Sequence, residues 1–163
     1  MNETYYGKYR GVVTDNKDPL SIGRVRAHVP DVLGEHESGW AMPCVPFSGS
    51  GMGFLGLPDV DAGVWIEFEH GDPEYPVWSG CWWGDSSELP DELQSEQEQK
   101  VMIKTKGGLS ILLDDTDGIT IQTNDGQKIV INAEGITLDN GNGAKIELSG
   151  ESVAINDDAL EVM

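Results

Sequence analysis

Aromatic residues are missing from the second half of this chain: every Trp, Tyr and Phe lies before residue 84, and residues 100–163 contain none. A globular core normally uses aromatic rings to fill space, so that half is expected to be a slender stack of strands packed with Val, Ile and Leu alone. Positive charge is scarce as well, with ten Lys and Arg against 29 Asp and Glu and a formal net charge of −19. Binding to nucleic acid draws its affinity from Lys and Arg displacing counterions along phosphates, so this composition excludes that class of partner. The same deficit disfavours an anionic membrane surface. The acids are spread evenly, fourteen against five bases in residues 1–90 and fifteen against five in residues 91–163, so neither half is a basic arm.

Other absences narrow the field further. No apolar run approaches the length of a membrane span. The opening ten residues are polar and tyrosine-bearing, which is unlike a secretory signal, so synthesis in a cytoplasm is expected. The two cysteines, Cys44 and Cys81, lack a CxxC spacing and read as reduced, partly buried small hydrophobes. His28, His36 and His70 have no ligand spacing to one another or to the cysteines, so no metal and no cofactor are expected. The runs Asp114-Asp115-Thr116-Asp117-Gly118 and Asp139-Asn140-Gly141 resemble calcium loops but lack the terminal glutamate, and turn chemistry accounts for them.

What is present is glycine, 21 residues of it, with eight prolines and short β-branched runs between them, the pattern of an all-β chain with brief strands and tight turns. Three regions follow: a barrel over residues 1–84, an acidic, glutamine-rich connecting segment over 85–99, and a repetitive part over 100–163. In the first, strands are expected at 9–14, 23–29, 40–46, 63–69 and 77–83. In the second of these, Val25, Ala27 and Val29 face inward and Arg24, Arg26 and His28 outward. Five short strands with glycine-rich loops fit a small Greek-key barrel of the oligonucleotide/oligosaccharide-binding (OB) type.

The C-terminal part repeats. Gly118-Ile-Thr-Ile aligns with Gly135-Ile-Thr-Leu, and Lys128-Ile-Val-Ile with Lys145-Ile-Glu-Leu, both at an offset of seventeen residues. Val101/Ile103 and Ile111/Leu113 precede Ile119/Ile121 and Ile129/Ile131 by eighteen, and Val153/Ile155 follow Ile136/Leu138 by seventeen. With Ile146/Leu148, each strand offers two apolar residues at i and i+2 and polar residues on its other face. One chain laid out this way has a narrow apolar ribbon that it cannot bury against itself. Three copies wound about a common axis would bury every pair in a triangular core, so the repeat is expected to fold as an intertwined homotrimeric β-helix, or β-prism. A monomeric left-handed solenoid is the competing geometry, though it needs three apolar faces per coil and only two apolar pairs are present.

Two features admit a chemical reading. Glu67 and Glu69, at i and i+2 of one expected strand, with Asp72 and Glu74 nearby, could do acid/base work on a glycan, and Trp40, Trp65, Trp78, Trp82 and Trp83 could stack on sugar rings. A carbohydrate- or peptidoglycan-binding module, hydrolytic where the carboxylates act on the glycan, is therefore the alternative function. The plainer account makes the carboxylates a solvated strand face and the tryptophans core or interface anchors.

Several stretches resemble the central spike proteins of contractile injection machines, including phage baseplate spikes and the valine-glycine-repeat (VgrG) spikes of type VI secretion. YRGVVTDNKDPLSIGRVRAHVPDV (9–32), Trp40-Ala41-Met42-Pro43 and GMGFLGLPDVDAGVWIEFEHGDPEYPVWSG (51–80) resemble their barrel, and KVMIKTKGGLSILLDDTDGITIQT (100–123) and GAKIELSGESVAINDDALEV (143–162) their needle and tip. The resemblance implies a non-enzymatic, membrane-puncturing spike that docks on a baseplate hub protein through its barrel, contacts the target envelope transiently, and is assembled in a virion tail or secretion particle. Phage relatives with an enzymatic spike insert a muramidase domain between barrel and needle, and the interval 85–99 is too short for one. No histidine follows His70, so the His-x-His tip metal of some phage spikes is absent. The ending resembles blunt spikes capped by a separate PAAR-repeat tip protein, with Ala159, Leu160 and Val162 as the docking platform.

Overall fold

A computed structural model describes residues 3–156 and 159–162, the last two by backbone alone. The chain divides into two compact units after Glu88. Nearly all regular structure is β.

The first unit contains β1 (Tyr9–Asp15), β2 (Arg26–His28), a single helical turn α1 (Pro30–Leu33), β3 (Met42–Pro43), β4 (Ser48–Gly49), β5 (Met52–Gly53), β6 (Gly63–Phe68) and β7 (Pro76–Trp82). Five of the strands form one sheet in the order β2-β1-β6-β7-β3. All neighbours are antiparallel except β3 and β7, which pair in parallel. The sheet closes on itself where Val25 and Ala41 exchange backbone hydrogen bonds of 2.8 and 3.3 Å, so no long edge is left open.

The core follows the alternation expected from the sequence. Val13, Val25, Ala27, Val29, Ala41, Val64 and Ile66 are fully buried, joined by Phe68 and Trp78. Tyr5, Tyr9 and Phe68 pack edge to tilted with ring centroids 5.7–6.4 Å apart at one end. The Trp78 indole donates to the Gly23 carbonyl at 2.9 Å, which satisfies the one polar atom of a buried ring. Buried Ser38 is satisfied too, accepting from the Ala27 amide at 3.0 Å and donating to the Gly39 carbonyl at 2.7 Å.

Three expected strands are shorter than the sequence pattern, for identifiable reasons. The stretch 23–29 keeps only Arg26–His28: at its start the Asp18 carboxylate takes the Arg24 amide at 3.3 Å, along with those of Leu20 and Ile22 just before it, and at its end Val29 caps the turn that opens at Pro30. Ser21 and Gly23 adopt positive φ within that knot. The stretch 40–46 reduces to Met42–Pro43, since Pro43 and Pro46 carry no amide hydrogen to donate. Glu69 does not continue β6: it opens a 3-10 turn, so Glu67 and Glu69 are not two same-face positions of one strand.

The second unit is a single antiparallel meander of eight strands: β8 (Lys100–Lys104), β9 (Ser110–Asp114), β10 (Gly118–Gln122), β11 (Lys128–Asn132), β12 (Gly135–Asp139), β13 (Lys145–Ser149), β14 (Ser152–Ile155) and β15 (Leu160–Val162). Every neighbour is antiparallel. A solenoid stacks its coils in parallel, so that competing geometry is excluded. The glycine turns make the tight stacking possible. Gly118 (φ +86°) and Gly135 (φ +143°) pass so close to the next strand that an added Cβ would lie 2.1 Å from the Ile131 oxygen and 1.9 Å from the Leu148 oxygen.

The connecting segment is ordered in short 3-10 turns, Ser86–Glu88, Asp91–Leu93 and Gln97–Gln99. Its second half belongs to the C-terminal unit. Glu92 holds Lys104 at 2.7 Å, the Lys100 ammonium reaches the Ser95 carbonyl at 3.1 Å, and the Asp115 amide donates to the Gln99 carbonyl at 3.0 Å.

Candidate assembly interface

The register of the meander converts the two apolar residues of each strand into two unbroken rows. In one, Val101 faces Leu113, which faces Ile119, then Ile131, Ile136, Leu148 and Val153 in turn. In the other, Ile103 faces Ile111, then Ile121, Ile129, Leu138, Ile146, Ile155 and Leu160. Because side chains alternate faces along a strand and paired residues share a face, both rows stand on the same side of the sheet. The column between them, Met102, Leu112, Thr120, Val130, Thr137, Glu147 and Ala154, points the other way.

Among the described residues of the C-terminal unit, none covers the rows. Of the fourteen core residues expected from the sequence, twelve are exposed, from 37% at Ile119 to 65% at Val101, and Val153 and Ile155 are half-buried. An apolar trough of about 630 Å³ runs over part of this face, with Ile121, Ile129, Leu138, Ile146 and Ile155 in its lining. Large contiguous apolar faces mark interaction surfaces. Withdrawing each such side chain from water is worth up to about 1.5–3 kcal/mol, and a face of fourteen gives association a strong driving force.

At the far end Ala159 and Leu160 are exposed, Leu160 by 54%. Val162 pairs with Val153 through its backbone, and its side chain lies outside the described residues.

The barrel lacks a chemical constellation of comparable coherence. The Glu67 carboxylate accepts from the Lys8 ammonium and from the Ser79 hydroxyl, and the Lys8 contact above all holds its pKa below the usual glutamate value, which suits an ion pair and not a general acid. The tryptophans form no open platform. Trp78 is in the core, the Arg10 guanidinium sits 5.8 Å from the Trp65 ring and 4.9 Å from the Trp82 ring, and Arg24 and Arg26 lie 5.6 and 5.9 Å from Trp40. Trp82 is pressed onto the sheet above Gly63, where a Cβ would come within 2.7 Å of the indole. Of the four tryptophans outside the core, Trp83, 58% exposed, is the one with no cation over its ring among the described residues.

Cys44 and Cys81 are both exposed, whereas the sequence pattern suggested partial burial. Cys44 directly follows β3, its amide donating to the Trp78 carbonyl at 2.8 Å, and Cys81 lies near the end of β7, opposite Val64. Among the described residues no group of three or more His, Cys, Asp and Glu is arranged to hold a metal. The aspartate-rich turns bond internally: Asp114 accepts from the amides of Thr116 and Asp117 at 2.9 and 3.2 Å, which, with Lys100 nearby, keeps its pKa low. Sequence reasoning missed the Asp18 knot and the Arg10 cluster. A turn aspartate six residues before an arginine was the available signal for the first, and nothing local indicates the second.

Comparison with known families matches both units. Residues 9–83 match the type VI secretion system/phage-baseplate injector OB domain, and residues 100–161 match the phage baseplate V C-terminal trimerisation domain. The two matched domains, an injector OB domain followed by a trimerisation domain, together span most of the chain and support its placement in a baseplate spike family of phage tails and type VI secretion systems. The matches support a structural baseplate protein, and the trimerisation-domain match over the C-terminal unit supports a homotrimer and assembly into a phage tail or secretion particle. No curated protein matches the chain.

Proposed function

We propose that the chain is the cell-puncturing spike at the tip of a contractile machine, its barrel docked on a baseplate hub and its needle driven into the target envelope when the sheath contracts. The observation that carries this reading is the pair of continuous aliphatic rows left uncovered on one face of the meander. Three chains wound together bury both rows about one axis as a triple-stranded β-helix, with Val101, Ile103, Ile111, Leu113, Ile119, Ile121, Ile129, Ile131, Ile136, Leu138, Ile146, Leu148, Val153 and Ile155 as its core. Such a needle has no free edge along its length and comes apart only by cooperative separation of three chains, which suits a part that bears load. The chain is made in the cytoplasm, works without enzymatic activity, and carries a PAAR-like cap on Ala159, Leu160 and Val162.

Absolute mass by light scattering coupled to size exclusion tests the reading, repeated on one sample in warm detergent. Three times the 17.7 kDa chain, persisting in detergent, is the expected result. A single-chain mass sinks the needle and returns attention to the barrel's tryptophans.

A further inference from the structure

The loop between β12 and β13 contains both Asn-Gly steps of the chain, Asn140-Gly141 and Asn142-Gly143. Asn-Gly is the sequence at which an asparagine side chain is most open to attack by the next backbone nitrogen, because glycine presents no Cβ to obstruct the approach. The two steps lie two residues apart on one exposed loop, yet their hydrogen bonding differs sharply.

Asn140 is clamped. Its side-chain oxygen accepts from the amides of Asn142 and Ala144, both at 2.9 Å, and its own amide donates to the Ala144 carbonyl at 3.0 Å. The nitrogen that would attack it, that of Gly141, donates to Asp139 Oδ1 at 2.8 Å. A carboxylate is far too weak a base to take that proton, so the bond fixes the amide without activating it. Gly141 is also wedged against the preceding hairpin, where a Cβ would lie 2.9–3.0 Å from backbone atoms of Gly126, Asp125 and Gln127.

Asn142 is held by its own amide, which donates to Asn140 Oδ1 at 2.9 Å, but its attacking nitrogen and its side-chain oxygen are not clamped in this way. The Gly143 amide makes no hydrogen bond to another described residue, and no atom lies within 4 Å of where a Gly143 Cβ would be. The Asn142 side chain is tied by one long contact, Nδ2 to the Asn140 carbonyl at 3.3 Å.

We infer that Asn142 is a spontaneous deamidation site of the folded protein and that Asn140, two residues earlier, is protected. The Gly143 nitrogen bonds to Asn142 Cγ, the Cγ–Nδ2 bond breaks, and Nδ2 leaves as ammonia with the proton lost from Gly143. Water then opens the cyclic imide at either carbonyl, giving aspartate or isoaspartate with no change in oxidation state. Each event adds one negative charge to the loop, and the isoaspartate product lengthens the backbone there by one methylene. The inference rests on this loop alone and is independent of what the needle pierces.

The test is peptide mapping of the full-length native protein aged in mildly alkaline buffer. Trypsin releases residues 129–145, which contain both steps, and fragment ions assign the mass gain to one asparagine or the other. Conversion at Asn142 is expected to exceed that at Asn140 by about tenfold or more, since Asn140 must first release the side-chain and Gly141 amide hydrogen bonds that hold it. In protein aged in denaturant the two rates should converge. Asn142→Gln should remove the fast conversion, and Asp139→Ala should raise conversion at Asn140. Equal or faster conversion at Asn140 in the native protein, or none at either position, overturns the inference.

Discussion

Ile121 stands directly opposite Ile129 in the β10–β11 ladder, with Ile111 on its other flank, and all three are exposed in the single chain. A carboxylate at Ile121 is tolerable on such an open face. In a trimer it would place three carboxylates near one axis with no cation to meet them, at a cost of several kcal/mol per chain. Ile121→Asp is therefore expected to abolish trimers, measured as a fall from three-chain mass in light scattering or as aggregation. Thr120→Asp, in the column pointing the other way, should leave the mass unchanged. An intact trimer in Ile121→Asp would show that the rows are not the interface.

The glycines that let strands cross so closely offer a second test. Gly135→Ala should destabilise the C-terminal unit by about 3 kcal/mol or more, because the new methyl group collides with the Leu148 carbonyl and the residue keeps a φ of +143°. Gly107→Ala, with a negative φ and only the Thr105 hydroxyl within 4 Å, should change stability little. Chemical denaturation followed by far-UV circular dichroism compares the two.

Much of this arrangement was legible in the sequence, and the reason is physical. A strand displays its pattern in period two, so Val25, Ala27 and Val29 announced a barrel wall, and the Ile-x-Ile pairs at offsets of seventeen and eighteen announced both the strands and their uncovered face. What could not be read were contacts in which a side chain replaces the ladder. Asp18 competes for the amides of 20–24, and the prolines at 43 and 46 starve β3, and neither effect has a periodicity. The connecting segment likewise includes Glu92 meeting Lys104, twelve residues on, a pairing that composition alone does not express.

That contact gives a third prediction. The pair is about one-third exposed on each side, and its lysine pulls the Glu92 pKa below the usual glutamate value. Exposed pairs contribute under about 1 kcal/mol and are screened by salt. Glu92→Gln should lower the stability of the C-terminal unit by no more than that, and the difference from the parent should shrink as salt is added. A loss of several kcal/mol, or one indifferent to salt, would mean that Glu92 acts through something other than this ion pair.

The Asp18 knot predicts a pH dependence with a definite sign. Its side chain is only 3% exposed and grips Arg24 through contacts of 2.7 and 3.0 Å, in addition to three amides. The Arg24 guanidinium first, and then those amides, hold the carboxyl far below the ordinary aspartate range. A depressed folded pKa means that the unfolded chain takes up the proton first. Asp18 therefore stabilises the barrel fully above the unfolded value of about 3.9, and loses that contribution as pH falls from there toward the folded value. Asp18→Asn should lower the thermal midpoint of the barrel at neutral pH, with the largest change in near-UV circular dichroism around Trp78, whose indole is anchored to Gly23 beside the knot. Comparing variant with parent cancels the titration of the other carboxylates. The gap between their midpoints should be constant from neutral pH down to about pH 5 and narrow below about pH 4. A gap of the same size at every pH would mean that Asp18 holds the turn by shape and hydrogen bonding alone, with no contribution from its charge.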